Sequence, residues 1–258
     1  MRPLHGWKRD KPDPRDWMMA APHPRTVLPA HAYIGAFDHI PVFDQLQIGS
    51  CAANAGASMF AHLNLLDGGT AMTFSRLYLY ARVREVEGVP LSEDSGAFIR
   101  DVMRALAKFG VCDELTWEYS DGLSRFAIEP DAMATAEALK HQALYYYRCP
   151  SLRTIKASIA EGFPVEFGFD VPKDIFDGRA QVTGEVLLPS DPTAFEGGHA
   201  NLLIGYDDTA KVGAHVGAFR SRNSWGPSFG LGGDLLIPYA FFETGHASDA
   251  WSLRKVEV

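Results

Sequence analysis

Pro41-Val42-Phe43-Asp44-Gln45-Leu46-Gln47-Ile48-Gly49-Ser50-Cys51-Ala52-Ala53-Asn54-Ala55 is the stretch on which the reading of this chain turns. A loop rich in Gln and Gly runs into Ser50-Cys51 and then into an alanine-rich run without proline, which predicts a helix beginning at the cysteine. At a helix start, unpaired backbone N–H groups and the macrodipole favour negative charge. Both effects are expected to lower the Cys51 thiol's pKa, and the thiolate is the reactive form. Gln45, six positions earlier, carries a side-chain amide that can be aimed at the same spot. A thiolate with a nearby donor suits attack on a carbonyl.

The rest of the composition narrows the field. The chain has 258 residues, 47% of them apolar and 22% charged, enough for one large domain or two small lobes around a real core. Its net charge is −8 and no Lys/Arg cluster stands out, which argues against a nucleic-acid partner. No apolar run approaches a membrane span. The opening Met1-Arg2-Pro3-Leu4-His5-Gly6-Trp7-Lys8 has no apolar core of a signal peptide, so a cytoplasmic location, or export by a signal-independent route, is expected. Cys51, Cys112 and Cys149 form neither a disulfide framework nor a zinc pattern. Cys112 and Cys149 are expected to be buried free thiols. No metal or cofactor is expected.

Residues 1–26 differ in kind from the remainder. Pro3, Pro12, Pro14, Pro22 and Pro24 alternate with charges, so the segment is extended and cannot fold alone. Trp7, Trp17, Met18 and Met19 are apolar anchors that should hold it against the body. Anchors alone leave open whether it straps the body or covers a cleft. From Ala52 to Leu66 the pattern predicts a buried helix ended by Gly68-Gly69. Further helices are expected around Phe74–Ala81, around Ile99–Phe109 closed by Gly110, and between Pro130 and His141. After Ala143 the period changes. Strands are expected at 143–147, 165–169 and 182–188, and from Ala200, Val216, Asp234 and Trp251, with a short helix over 152–159. This is an α+β arrangement: a helical lobe over about 45–142, then an antiparallel β lobe over 143–258. A cleft between two lobes is the natural place for a site.

A cysteine nucleophile needs a base, and the base an orienting partner. In Glu196-Gly197-Gly198-His199-Ala200-Asn201-Leu202, His199 follows two glycines and precedes an apolar strand, which places an imidazole at the mouth of the β lobe. Another strand leads into Asn223-Ser224-Trp225-Gly226. Asn223 suits the far imidazole nitrogen, and Trp225 suits shielding that bond from water. Each residue alone has an ordinary structural use; the order Gln, Cys, His, Asn is what carries weight.

Gln45-Leu46-Gln47-Ile48-Gly49-Ser50-Cys51, Gly198-His199-Ala200 and Asn223-Ser224-Trp225-Gly226 resemble the catalytic blocks of papain-like cysteine proteases, with His and Asn about 150 and 170 positions after the cysteine. The resemblance runs from about Val27 to the C-terminus and is closer to bacterial members. It implies the two-lobe papain-like fold, a helical L domain and an antiparallel β-barrel-like R domain with the active-site cleft between them. It also implies a cysteine endopeptidase acting on a peptide or protein substrate as a monomer. Carried over by position, it makes Cys51 the nucleophile, His199 its partner and general acid/base, and Asn223 the holder of the imidazole. Gln45 and the Cys51 N–H would form the oxyanion hole, with Trp225 over the Asn–His pair. Gly96 in Asp94-Ser95-Gly96 matches the loop that binds extended substrate backbone. Ala200, Gly198 and Trp225 would line the substrate cleft, with Phe98 narrowing the pocket.

The sequence departs from the pattern in places. Ile48 stands where most relatives have a disulfide cysteine, and Ala52 replaces a tryptophan. The long helical inhibitory segment of the secreted relatives is missing, so any latency falls to residues 1–26. The same Cys–His–Asn chemistry also serves acyl transfer or deamidation. A cleft plugged by the N-terminal segment would leave a latent binding module.

Overall fold

The computed structural model describes residues 6–119 and 126–257. Helix α1 (Cys51–Leu66) lies at its centre. Its first three turns are Ala, Gly, Ser and Asn with one Met and one Phe, and all residues from Cys51 to Asn64 are buried. Small side chains let neighbouring elements approach α1 on every side, which an amphipathic helix would not allow. Helix α2 (Arg76–Glu87) starts at Ser75, whose hydroxyl accepts from the Tyr78 N–H, and stops at Gly88 with φ 68°. A two-residue strand, β3 (Ala97–Phe98), leads into α3 (Ile99–Phe109). Gly110 ends α3 at φ 68°, where a Cβ would stand 1.9 Å from the Ala138 carbonyl oxygen. That carbonyl ends α4 (Ala132–Ala138), which is capped by Asp131.

The second half is an antiparallel sheet. Strands β4 (Ala143–Arg148), β5 (Val165–Pro172), β6 (Phe195–Val212), β7 (His215–Arg222), β8 (Asp234–Pro238) and β9 (Ala247–Val256) take the order β4-β9-β5-β6-β7-β8. β2 (His31–Tyr33) adds to β6. The sheet is open, with β4 and β8 at its edges, rather than a closed barrel. Helix α5 (Leu152–Ala160) starts at a capping box between Ser151 and Thr154. The three cysteines are free and buried, and Ile48 fills core space.

One expected strand is different. Residues Arg179–Thr183 form a short helix, α6, and only Glu185 bridges to Leu236. Gly184 takes φ 75°, and a Cβ there would come within 2.8 Å of the Asp234 carbonyl oxygen. The left-handed glycine ends any extended run, and Val182 is left exposed. Beyond α6, the helix α7 (Ala240–Glu243) links β8 to β9.

The N-terminal segment joins the body as strand β1 (Trp7–Lys8), parallel to β3, with the Ala97 N–H donating to the Gly6 carbonyl at 2.9 Å. It runs on across α3, β4 and β9. Met18 bridges to Arg148, and Trp17 lies against Tyr146 and Tyr147.

Candidate active site

Cys51 is the first residue of α1 and is fully buried. The turn before it is built by polar contacts. Asp94 accepts the Gly49 N–H at 2.9 Å, and the Asn54 amide donates to both the carbonyl and the hydroxyl of Ser50. The Ser50 hydroxyl also meets the Tyr119 hydroxyl at 2.8 Å. These bonds fix the direction in which the sulfur leaves the helix start. From the other side, the Ala200 N–H donates to Cys51 Sγ at 3.3 Å. Strand β6 thus delivers the residue after His199 onto the sulfur.

His199 and Asn223 come from neighbouring strand regions, and His199 Nε2 lies 2.8 Å from Asn223 Oδ1. The same oxygen accepts the Ser224 N–H at 2.8 Å, so the Asn223 amide is pinned with its oxygen toward the ring. Trp225 stacks on His199 with centroids 4.4 Å apart and is itself closed in by Phe176 and Phe229. At 1% exposure it supports the imidazole from behind and offers no surface to a substrate, which corrects its expected place in the substrate cleft. Water is excluded from the His199–Asn223 bond by this stack.

Gln45 is fully buried and held at both ends of its amide. Its Oε1 accepts from the Ser224 hydroxyl at 2.7 Å, and its Nε2 donates to the Ile48 carbonyl at 3.0 Å. This fixes which end of the amide faces the turn at Cys51. Leu46 takes φ 53°, a left-handed conformation rare for a branched side chain, stabilised where its N–H reaches the Asp44 carboxylate at 2.9 Å. Arg76, bonded to Glu114 and stacked on Phe43 and Tyr119, braces the outer side of this loop.

The N-terminal segment lies in the cleft. A Cβ on Gly6 would stand only 2.4 Å from Cys51 Sγ, so the Gly6 backbone rests directly on the sulfur. Trp7 fills a slot made by two other glycines. A Cβ on Gly168 would fall 1.9 Å from the indole, and one on Gly198 2.7 Å from it. Gly6, Gly168 and Gly198 therefore act as one set: each omits a side chain where the strap and the body must touch. This contact also alters the thiol. Burial pushes the Cys51 thiol up to about 12, against the lowering by the N–H groups of Ala200 and Ala52. The expected depression is overturned here, because desolvation of the charged form outweighs the helix-start donors while the strap is in place.

The remaining expected residues fall around the strap. Gly96 sits at φ 68°, its N–H donating to the Tyr80 hydroxyl at 3.0 Å, and it precedes the strand that pairs with the strap. Phe98 carries the Lys8 ammonium 5.3 Å above its ring rather than closing a pocket. Ala200 is buried beside the sulfur. Sequence reasoning missed Gly6, Gly168 and Glu166. The last is a fully buried carboxyl on β5 with no hydrogen-bond partner among the described residues. Glycines in the first two cases, and a lone Glu in an apolar strand in the third, were the only signals. Among the described residues no group of side chains could hold a metal ion, and no helix is long and apolar enough to cross a membrane.

Residues 36–242 match the papain family cysteine protease. A mimivirus protein described as an uncharacterized peptidase C1-like protein, from Acanthamoeba polyphaga mimivirus, is 34% identical over 225 residues, covering 83% of this chain and 69% of that one. The crystal structure of xylellain, a cysteine protease from Xylella fastidiosa, superposes with a TM-score of 0.88 at 31% identity, covering 98% of this chain and 96% of that one. Procathepsin B from Trypanosoma congolense shares the fold at 17% identity and a TM-score of 0.76, with 99% and 87% covered. The chain belongs to the papain family of cysteine peptidases.

Proposed function

We propose that the protein is a cysteine endopeptidase working through Cys51, His199 and Asn223, and that residues 6–19 are its built-in inhibitor. The observation that carries the reading is the convergence on one sulfur of the Cys51 helix start, the β6 segment bearing His199, and the Gly6 backbone. With the strap displaced, water reaches the thiol and the main cause of its raised pKa is gone, so the helix-start donors again favour a thiolate beside the imidazole. The thiolate attacks the carbonyl carbon of a peptide bond. The developing oxyanion is received by the Cys51 N–H and the Gln45 amide. His199 gives its proton to the leaving amine, and the Cys51 thioester that remains is hydrolysed by a water that His199 deprotonates. Asn223 keeps the ring in the plane these transfers need. The cleft holds an extended backbone strand, β1, which supports a polypeptide substrate over a small amide.

The test is covalent. An epoxysuccinyl peptide should label the Trp7→Ala chain, with its strap loosened, at Cys51, and adding Cys51→Ala to that variant should abolish the labelling. Absence of labelling and of peptide cleavage in Trp7→Ala would instead favour the reading of a permanently plugged binding module, which the contact of Gly6 on Cys51 also motivates.

A further inference from the structure

Asn201 stands in the run Ala200-Asn201-Leu202-Leu203-Ile204, where an apolar residue would be expected. It is 1% exposed, yet neither its Oδ1 nor its Nδ2 has a hydrogen-bond partner among the described residues. Burying an amide in this way costs free energy that a leucine would not. The strand register decides what it faces. β6 and β7 pair Leu202 with Arg222, and the same register one step on sets Asn201 opposite Asn223. The stack of Trp225 on His199, two residues further along, follows that register. His199 and Asn201 share one side of β6 because side chains alternate, and directly opposed residues hold their Cβ atoms about 5 Å apart. On its other flank Asn201 is paired with Phe167 of β5, whose ring offers no hydrogen-bond acceptor or donor of its kind.

Asn223 has the complementary need. Its Oδ1 is taken by His199 Nε2 and by the Ser224 N–H, both at 2.8 Å, and its Nδ2 is buried without a partner among the described residues. A cavity of about 10 Å³ is lined by Asn201, Asn223 and Ser224 and, from α1, by Asn54 and Ser58. That is about the space one water occupies, and polar walls are the condition for water to enter. Ser221, the next residue on this face of β7, has a buried Oγ that also lacks a partner among the described residues. It suits the Asn201 Nδ2 and leaves Oδ1 for the cavity.

We propose that this cavity binds one water, which accepts a hydrogen bond from Asn223 Nδ2 and donates one to Asn201 Oδ1, and that Asn201 is thereby a positioning residue for the His199–Asn223 pair. The inference rests on the reading that Cys51, His199 and Asn223 form the catalytic site. Ser58, on the α1 wall, brings a hydroxyl as a third partner. An amide held by its oxygen alone can still rotate about its Cβ–Cγ bond; a tether on the nitrogen removes that freedom. The oxygen then stays toward the ring, where it accepts the Nε2 proton and leaves Nδ1 for exchange with the Cys51 sulfur. Because one wall belongs to α1, the water also couples the helix that carries Cys51 to the strands that carry its partners.

Diffraction at atomic resolution from crystals of the full chain tests the site directly. One ordered water within hydrogen-bond distance of both amides is expected, and its absence overturns the proposal. The positioning role is read from peptide cleavage in the strap-loosened Trp7→Ala chain. Asn201→Leu should lower kcat about tenfold, the worth of one neutral hydrogen bond, with KM unchanged. Asn201→Ser, whose hydroxyl can still meet the water, should recover most of that loss. In an Asn223→Ala background the further change Asn201→Leu should cost nothing, because the residue it acts through is gone. An equal tenfold loss there, or a loss in KM instead of kcat, marks Asn201 as packing and overturns the role. Should Asn201→Leu unfold at a lower temperature, the contrast between Asn201→Ser and Asn201→Ala carries the same test. If Trp7→Ala cleaves nothing, or Asn223→Ala alone leaves kcat unchanged, the catalytic reading fails and diffraction alone decides the water.

Discussion

Residues 45–55 and residues 6–16 meet at one sulfur and are held there by different physics. The first segment is part of the core. Gln45, Ser50 and Cys51 are fully buried, the turn is held by Asp94, Tyr119 and Ser224 as well as by its own neighbours, and α1 behind it is buried through Asn64. The second segment has one apolar anchor, Trp7, and otherwise depends on charges: Lys8 with Glu87, Arg9 with Asp170, Asp16 with Arg100 and Arg148. A core turn built from many buried hydrogen bonds and backed by a buried helix is hard to displace. A strap held by one indole and a set of ion pairs can leave as a unit without unfolding the body. The two sides of this cleft are therefore suited to opposite tasks, one to keeping a geometry and the other to giving it up.

Three substitutions sharpen this contrast. On the core side, Gln45→Ala in a strap-released background should lower kcat by about 10²–10³-fold with a much smaller change in KM, as expected for an oxyanion donor. An equal loss in KM would place Gln45 in substrate binding instead. On the strap side, Gly168→Ala puts a methyl into the indole of Trp7. It should forfeit most of that burial, about 2–3 kcal/mol, and raise the rate of Cys51 alkylation by roughly thirty- to a hundredfold. No increase would mean that the charges, and not Trp7, carry the strap. Least is expected of Arg153→Ala. It removes hydrogen bonds to the His23 and Thr26 carbonyls at the exposed end of the segment, and thermal unfolding should shift by less than about 0.5 kcal/mol. A larger effect would show that the strap is stabilised along its whole length.

Much of the frame was legible from residue order. Small residues after Cys51 gave a helix buried on all sides, Gly110 marked the end of α3, and the change to alternating apolar residues after Ala143 marked the sheet. The stretch 182–188 misled because Val182, Val186 and Leu187 look like a strand, while Gly184 needs a left-handed turn against the Asp234 carbonyl. That requirement arises from a strand fifty residues later and leaves no local trace.

For the site, the sequence by itself determined which side chains are candidates for the proposed chemistry and in what order they occur. Gln45, Cys51, His199 and Asn223 are residue types that nucleophilic attack on a carbonyl requires, and their identities are fixed before any folding. The tertiary structure alone decided what covers them. Trp7 was recognisable as an anchor, but its slot exists only because Gly168 and Gly198 from two strands open it together. The state of the thiol was decided in the same way. A helix start favours the anion locally, yet desolvation depends on everything packed around the sulfur, and here a distant glycine closes over it.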